Sequence, residues 1–382
     1  MKEKILEIFN NIYGYEAEDA FFAPGRVNLI GEHTDYNGGH VLPCALSIGT
    51  YAAVSKRDDD IIRFYSANFD GAGIIERKIS ETEKDDSKEF TNYPLGVICK
   101  LKEAGHKIDT GFDIAFFGNI PNSSGLSSSA SIEVLTGFIA KELYNLDVTN
   151  KEIALISQKA ENEFIGVNCG IMDQFIIAMG KKDHATFLDT STLEFSYIPV
   201  KLENQKLVIA CSNKKRGLKD SKYNERRAEC ETAANDLGVT FLGELTNEEF
   251  EEQKEKIKHP THKKRAKHAV FENQRTINAC KALQNGDIIT FGILMNDSHK
   301  SLRDDYEVTG IELDTLVETA QSIDGVIGSR MTGAGFGGCT VSIVKDEAID
   351  NFIKVVGETY ESKIGYPASF YVVEIGDGPR KL

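Results

Sequence analysis

The chain has 382 residues, 41% hydrophobic and 27% charged, an ordinary composition for a soluble globular protein and a length that suggests two domains. Its formal net charge of −15 excludes a broad nucleic-acid surface, which would be basic, and forces any nucleotide site to concentrate its positive charge locally. No apolar run approaches the ~18 residues of a transmembrane helix, and the N-terminus has no signal-peptide core, so a cytoplasmic protein away from membranes is expected. The seven scattered cysteines, none in a C-x-x-C pair, are read as thiols in a reducing compartment rather than as a disulfide or zinc framework.

Residues 2–12 carry an amphipathic helical pattern. In the stretch from Phe21 to His40, apolar residues imply a buried strand around 27–30, with Arg26, Glu32, His33 and Asp35 crowding its ends. Burying that many charges is costly unless they pair or bind something. A solvated loop is the plainer alternative for Glu32 and Asp35. Arg26 sits between Gly25 and the apolar run, where its planar fork can be offered to a phosphate or a carboxylate.

Residues 46–56 and 60–68 alternate as a strand pair turning at Asp58-Asp59-Asp60. Glu81 to Glu89 reads as a solvated loop, and Tyr93 to Ala104 as a helix ending at Gly105. A strand from Phe112 to Phe117 leads into Pro121-Asn122-Ser123-Ser124-Gly125-Leu126-Ser127-Ser128-Ser129-Ala130-Ser131. A helix follows, with Ala130, Val134, Leu135 and Phe138 on one face. The first N–H groups of a helix lack internal partners and lie at the positive end of its dipole. Hydroxyls and N–H groups gathered there make either an anion site, with phosphate the natural guest, or simply a capped turn.

A further helix is expected over 150–164. In Gly166 to Phe175, Asp173 lies among apolar residues beside Gly170. It either caps a helix or is a catalytic carboxylate with a tuned pKa. Strands at 184–189 and 194–199 close the first half, and a β-type run at Leu207 to Cys211 opens the second. The division is placed between residues 203 and 204, giving domains 1–203 and 204–382. The second half reads as mostly helical, over 221–237, 261–283 and 286–302. The basic run Lys254 to His268, with His259, His262 and His268, is read as a solvated helix start and not a metal site.

Ser329 to Thr340 contains Gly333, Gly335 and Gly338 in G-x-G-x-x-G spacing, but β-branched residues follow at once from Cys339 to Val344. The dinucleotide reading needs a helix there. A glycine loop joining two strands and approaching a ligand or another loop closely fits instead. No G-x-x-x-x-G-K-[ST] phosphate loop is present.

Taken together, these stretches resemble the GHMP small-molecule kinases and, within them, the galactokinase family. Gly25-Arg26-Val27-Asn28-Leu29-Ile30-Gly31-Glu32-His33-Thr34-Asp35-Tyr36 is similar to that family's sugar motif nearly letter for letter. Gly170-Ile171-Met172-Asp173-Gln174 looks like its catalytic-aspartate segment. Ser221 to Arg227 and Leu302 to Val308 are similar to further family stretches.

The resemblance implies an α+β, two-domain GHMP kinase fold. A ribosomal-protein-like β-α-β N-terminal domain would meet a ferredoxin-like C-terminal domain, with the active site in the cleft between them. It implies transfer of the ATP γ-phosphoryl group to the C1 hydroxyl of α-D-galactose, with Mg²⁺ as cofactor. Asp173 would be the general base, and Arg26, beside it, would keep it ionised and face the transferring phosphoryl. Glu32, His33, Asp35, Gly170 and Tyr223 would bind the sugar. Ser123, Ser124, Gly125, Leu126, Ser127, Ser128, Ser129 and Ala130 would cradle the phosphates, with Ser66, Phe90 and Tyr93 around the adenine. Ser128 and Glu161 would ligate Mg²⁺. The implied partners are galactose and ATP, with no nucleic acid, no membrane and a monomeric chain.

Two features depart from the family pattern. Ser123 replaces the first glycine of the loop, and Phe90 stands where some relatives carry a Trp. A kinase for another sugar, such as N-acetylgalactosamine or L-arabinose, and a sugar sensor without turnover are the alternatives. The Glu-His-Thr-Asp-Tyr run favours galactose, and the intact Ser127 to Ala130 and Asp173 speak against a sensor.

Overall fold

The computed structural model describes residues 1–120, 125–214 and 219–382, the side chains of residues 89 and 219–221 excepted. In chain order its N-terminal half holds α1 (Lys2–Tyr13), β1 (Asp19–Asn28), β2 (His40–Val41), β3 (Pro43–Lys56), β4 (Ile61–Ser66), β5 (Ile75–Lys78), α2 (Asn92–Glu103), β6 (Phe112–Gly118), α3 (Ser128–Tyr144), α4 (Asn150–Lys159), α5 (Met172–Met179), β7 (His184–Asp189) and β8 (Phe195–Pro199). The C-terminal half holds β9 (Gln205–Cys211), α6 (Lys219–Leu237), α7 (Asn247–Gln253), α8 (Pro260–Gln284), α9 (Ile288–Ser301), α10 (Gly310–Gln321), β10 (Val326–Thr332), β11 (Cys339–Lys345), α11 (Ile349–Ile364), β12 (Ser369–Val373) and β13 (Arg380–Lys381).

The first sheet runs β13-β1-β3-β6-β4-β5. Apolar residues occupy both faces of its central strands, so both faces must be covered. On one face α2, α3 and α4 bury Val97, Ile98, Val134, Leu135 and Ile153 against Phe21, Val54 and Phe64. On the other, α1 buries Ile5 and Phe9 against Phe22 and Ala53. A three-stranded sheet, β2-β7-β8, flanks this unit.

Residues 46–56 and 60–68 are not a hairpin. β4 pairs in parallel with β6, and β6 lies between it and β3. Gly111 makes this possible. Its N–H reaches the Asp59 carbonyl at 2.6 Å and its own carbonyl accepts from Arg57 N at 3.0 Å, wedging the chain between the two runs. A Cβ there would lie 1.7 Å from the Ile61 carbonyl oxygen, so no other residue fits.

In the second half, β10-β11-β9-β12 form an antiparallel sheet. With the helices between β9 and β10 and α11 between β11 and β12, this is the ferredoxin-like β-α-β-β-α-β order. The sheet starts at Gln205, and β13 returns to the first sheet beside β1. Val27, Leu29 and Ile30 share one apolar cluster with Leu207, Ile209, Phe291 and Val341, so the halves meet through a continuous core. Among the described residues no helix is long and apolar enough to cross a membrane.

Two expectations fail for packing reasons. Cys211 and Cys339 are joined as a disulfide: they face each other in the β9–β11 register with Cα atoms 4.1 Å apart. Their sequence separation of 128 gives no hint of this. His268 is not solvated. The inner face of α8 carries it to full burial, where Nδ1 meets Ser301 Oγ at 2.9 Å and Nε2 meets the Glu32 carbonyl at 3.1 Å.

Candidate active site

A cleft of about 410 Å³ lies where β1, the start of α3, the start of α5 and the loop after β10 converge. At its centre is an ion pair. A bulge between Pro24 and Arg26 interrupts the β1–β3 register, the kind of break that re-aims a side chain. The buried Arg26 guanidinium donates from Nε to Asp173 Oδ1 at 2.7 Å and from Nη2 to Oδ2 at 2.6 Å. Nη1 donates to the Gly125 carbonyl at 2.6 Å, tying the pair to the serine loop. Burial opposes the charge on Arg26, but Asp173, together with Glu32 and Asp35, outweighs it and holds the guanidinium above its ordinary range. Asp173 is in the first turn of α5, and its Oδ2 also accepts from the Ser127 hydroxyl.

On one side lie Glu32, His33, Asp35, Gly170 and Tyr223, with Gly333 and Ala334. Glu32 Oε1 accepts from Gly333 N at 2.7 Å, Thr332 Oγ1 at 3.2 Å and Arg330 Nη1 at 3.4 Å. Burial pushes its pKa up against the opposing pull of Arg330 and Gly333 N–H. His33 Nδ1 meets the Tyr36 hydroxyl at 2.7 Å, which continues to Tyr306 at 2.7 Å. Its Nε2 is buried near the Ala334 backbone without a hydrogen bond of full geometry. Burial, then neighbouring His268, lowers the His33 pKa to about 3, so the imidazole is neutral near pH 7. Asp35 is pushed up to about 7, first by burial and then by Asp173 and Glu32. Gly170 fits against it only because it has no side chain: a Cβ would sit 1.8 Å from Asp35 Oδ2. The Tyr223 ring packs 5.8 Å from His33 and 5.4 Å from Tyr36.

The other side is lined by Ser66 at the end of β4, Phe90, Tyr93 in the first turn of α2, and Ser127, Ser128 and Ser129. Leu126 and Ala130 are fully buried and are not among the residues that line the cleft. Ser123 and Ser124 lie outside the described residues. Glu161 sits in a single π-helical turn (Ala160–Ile165), a local irregularity common at functional sites. Gln174 Nε2 donates to Glu161 Oε2 at 2.5 Å and to the buried Glu133 Oε2 at 3.1 Å. Glu161 rises to about 7, by burial and then by Asp173, and Glu133 is raised by burial and then by Glu161. The hydroxyl bonded to Glu161 is that of Ser129, while Ser128 faces outward into the cleft. Among the described residues no group of three or more His, Cys, Asp or Glu forms a metal cluster.

Several contributors were assigned no role from the sequence. Phe69 stacks on Phe90 with centroids 5.7 Å apart and planes 9° apart. Asn68 pairs its amide with Gly118 N at 2.7 Å and O at 2.9 Å, shaping the same wall. Arg330, Thr332, Tyr36, Tyr306, Glu133 and Gln174 hold the groups that face the cavity. Tyr36 and Tyr306 stand inside stretches already noted for their resemblance, the one signal available for them.

Three family models match: "Galactokinase galactose-binding signature" over residues 7–56, "GHMP kinases N terminal domain" over 92–181 and "GHMP kinases C terminal" over 279–362. A galactokinase of Clostridium acetobutylicum is 59% identical over 380 residues, covering 98% of each chain. The chain belongs to the galactokinase family. A Fusobacterium nucleatum galactokinase is 56% identical, with full coverage of both chains. The crystal structure of Lactococcus lactis galactokinase complexed with galactose superposes with a TM-score of 0.96 at 49% identity, covering 100% of this chain and 99% of that one. Methanococcus jannaschii mevalonate kinase shares the fold, with a TM-score of 0.68 at 21% identity over 94% of this chain and 98% of its own. The α+β, two-domain GHMP kinase fold is thus shared beyond galactokinases.

Proposed function

We propose that this cleft transfers the γ-phosphoryl group of ATP to the C1 hydroxyl of α-D-galactose, giving α-D-galactose 1-phosphate and ADP. One observation carries the assignment of roles: the Arg26–Asp173 pair is bonded to the serine loop through Gly125 and Ser127 and lines the same cleft as Glu32, His33 and Asp35. Glu32, His33, Asp35, Gly170 and Tyr223 bind the sugar. The loop from Ser123 to Ala130 cradles the phosphates through its N–H groups. Ser66, Phe90 and Tyr93, with Phe69, form the adenine side.

Phosphoryl transfer asks for positioning and charge stabilisation more than for covalent chemistry. Asp173 accepts the proton of the sugar hydroxyl. The new bond forms between that oxygen and the γ-phosphorus, and the bond to the β–γ bridging oxygen breaks, releasing ADP. Arg26 has five N–H groups, of which three are engaged with Asp173 and Gly125. The other two are what it offers to charge on the equatorial oxygens.

Among the described residues that line the cleft one cation, Arg26, faces four carboxylates, Glu32, Asp35, Glu161 and Asp173. A triphosphate entering such a site needs a compensating cation. The partners of Glu161 are an amide, a hydroxyl and a thiol, none of them basic. Glu161 with the hydroxyls of Ser128 and Ser129 supplies the hard oxygen donors that suit Mg²⁺. When bound, Mg²⁺ offsets the charge of the phosphates. We divide the domains between residues 203 and 204.

Incubation with Mg-ATP and a panel of sugars, following ADP release, tests the assignment. Turnover with galactose is expected, and turnover with another sugar but not galactose overturns it. Asp173→Asn should lower kcat by about 10²–10⁴. Near-full activity in that variant removes Asp173 from its role.

A further inference from the structure

The serine that precedes α3, Ser127, does not behave as a helix cap. An N-cap serine ordinarily has extended backbone angles and accepts a hydrogen bond from an N–H one turn on. Ser127 has φ 59° and ψ 52°, a left-handed conformation, and its side chain makes no capping bond. Its carbonyl still accepts from Ser131 N at 2.9 Å, so the helix starts normally. The buried hydroxyl is turned away from the helix and donates to Asp173 Oδ2. A left-handed non-glycine residue at a functional site is a conformation that its surroundings must impose.

We propose that Ser127 is a positioning residue that leaves Asp173 a single open acceptor site, on Oδ1; this rests on Asp173 being the base. Each carboxylate oxygen offers about two lone-pair sites. Oδ2 receives both Arg26 Nη2 and Ser127 Oγ, so it is filled. Oδ1 receives only Arg26 Nε among the described residues. The free site on Oδ1 therefore takes the hydroxyl proton as the oxygen–phosphorus bond forms and ADP leaves. Without the Ser127 hydroxyl a site on Oδ2 is open as well, and the proton acceptor is no longer fixed to one oxygen. The diversion also leaves the first N–H groups of α3 uncapped by this side chain and open to phosphate.

The test compares Ser127→Gly and Ser127→Ala with Asp173→Asn in steady-state kinetics with galactose and Mg-ATP. Glycine adopts the left-handed conformation freely, so Ser127→Gly removes the hydroxyl without straining the fold. Losing a hydrogen bond to a charged group predicts a kcat about ten- to a hundredfold lower in both serine variants. The KM values for galactose and ATP should stay within about twofold, a split that a merely structural role would not give. Ser127→Gly with kcat near wild type beside an inactive Asp173→Asn overturns the proposal and leaves the base in place. A loss confined to the KM for ATP also overturns it, because the hydroxyl then serves the nucleotide. An active Asp173→Asn removes the base and the proposal with it.

Discussion

The two sides of the cleft are built differently. The sugar side is assembled from both halves of the chain. Glu32 is held by Arg330, Thr332 and Gly333, and Gly31 N donates to Glu272 Oε1 at 3.0 Å. The Glu32 carbonyl is within 3.1 Å of His268 Nε2, and Tyr306 braces Tyr36 behind His33. Every described lining residue on the nucleotide side belongs to the N-terminal half, and Phe69, on its wall, is 46% exposed. The difference suits the ligands proposed for the two sides. A sugar is told from its isomers only by where its hydroxyls lie, and hydrogen-bonding sites discriminate strongly when their polar groups cannot move to suit the wrong partner. A nucleotide brings a flat ring and concentrated charge, which a stacking wall and a row of N–H groups hold with less fixed geometry.

The sharpest way to break the comparison is Gly170→Ala. The new methyl must displace the Asp35 carboxylate, which a Cβ approaches to 1.8 Å. A misplacement of about 1 Å can lower rates by about 10²-fold. We expect kcat/KM for galactose to fall by that order while the KM for ATP stays within about twofold. If both substrates suffer equally, the two sides are not separable. Phe69→Ala probes the other side with a smaller expected effect. An aromatic pair contributes about 0.5–1.5 kcal/mol beyond area burial, so the KM for ATP should rise about two- to tenfold with the KM for galactose unchanged. An unchanged KM for ATP would take Phe69 out of the adenine wall.

How far the sequence could be read divides along a related line. Residues that face the cleft sit in contiguous motifs, so Arg26, Glu32, His33, Asp35 and Asp173 were visible as misplaced charge among apolar residues, and the resemblance supplied the roles proposed for them. The groups that hold them are scattered. Arg330 reaches Glu32 across 298 residues from a strand with an ordinary β pattern. Glu272, Glu133 and His268 are single polar residues on helices whose charge looks solvated until packing turns that face inward. Strand order was hidden for the same reason. Alternation marked the runs at 46–56 and 60–68 correctly as strands, but only the close approach at Gly111 shows that β6 comes between them. Periodicity reports which face of an element is buried and is silent on what it is buried against.

The smallest effect, and the one that asks what the fixed geometry of the sugar side does to stability, is the pH response of Asp35. Its pKa is raised from 3.8 to about 7 by burial and by its carboxylate neighbours. Between those values the folded protein keeps a proton that the unfolded chain has released. Stability therefore falls as pH rises through that window, because the folded state must lose the proton in a place where the charge is disfavoured. Asparagine at this position cannot ionise, so Asp35→Asn should lose part of the slope. In ligand-free protein, the Tm of the variant should gain on wild type by roughly 2–4 °C between pH 5 and pH 8. Some slope should persist, since Glu161, also raised to about 7, acts in the same direction. A gap that stays constant with pH, or shrinks, would mean that Asp35 is already ionised in the empty cleft, and that the sugar side is less desolvated than its geometry implies.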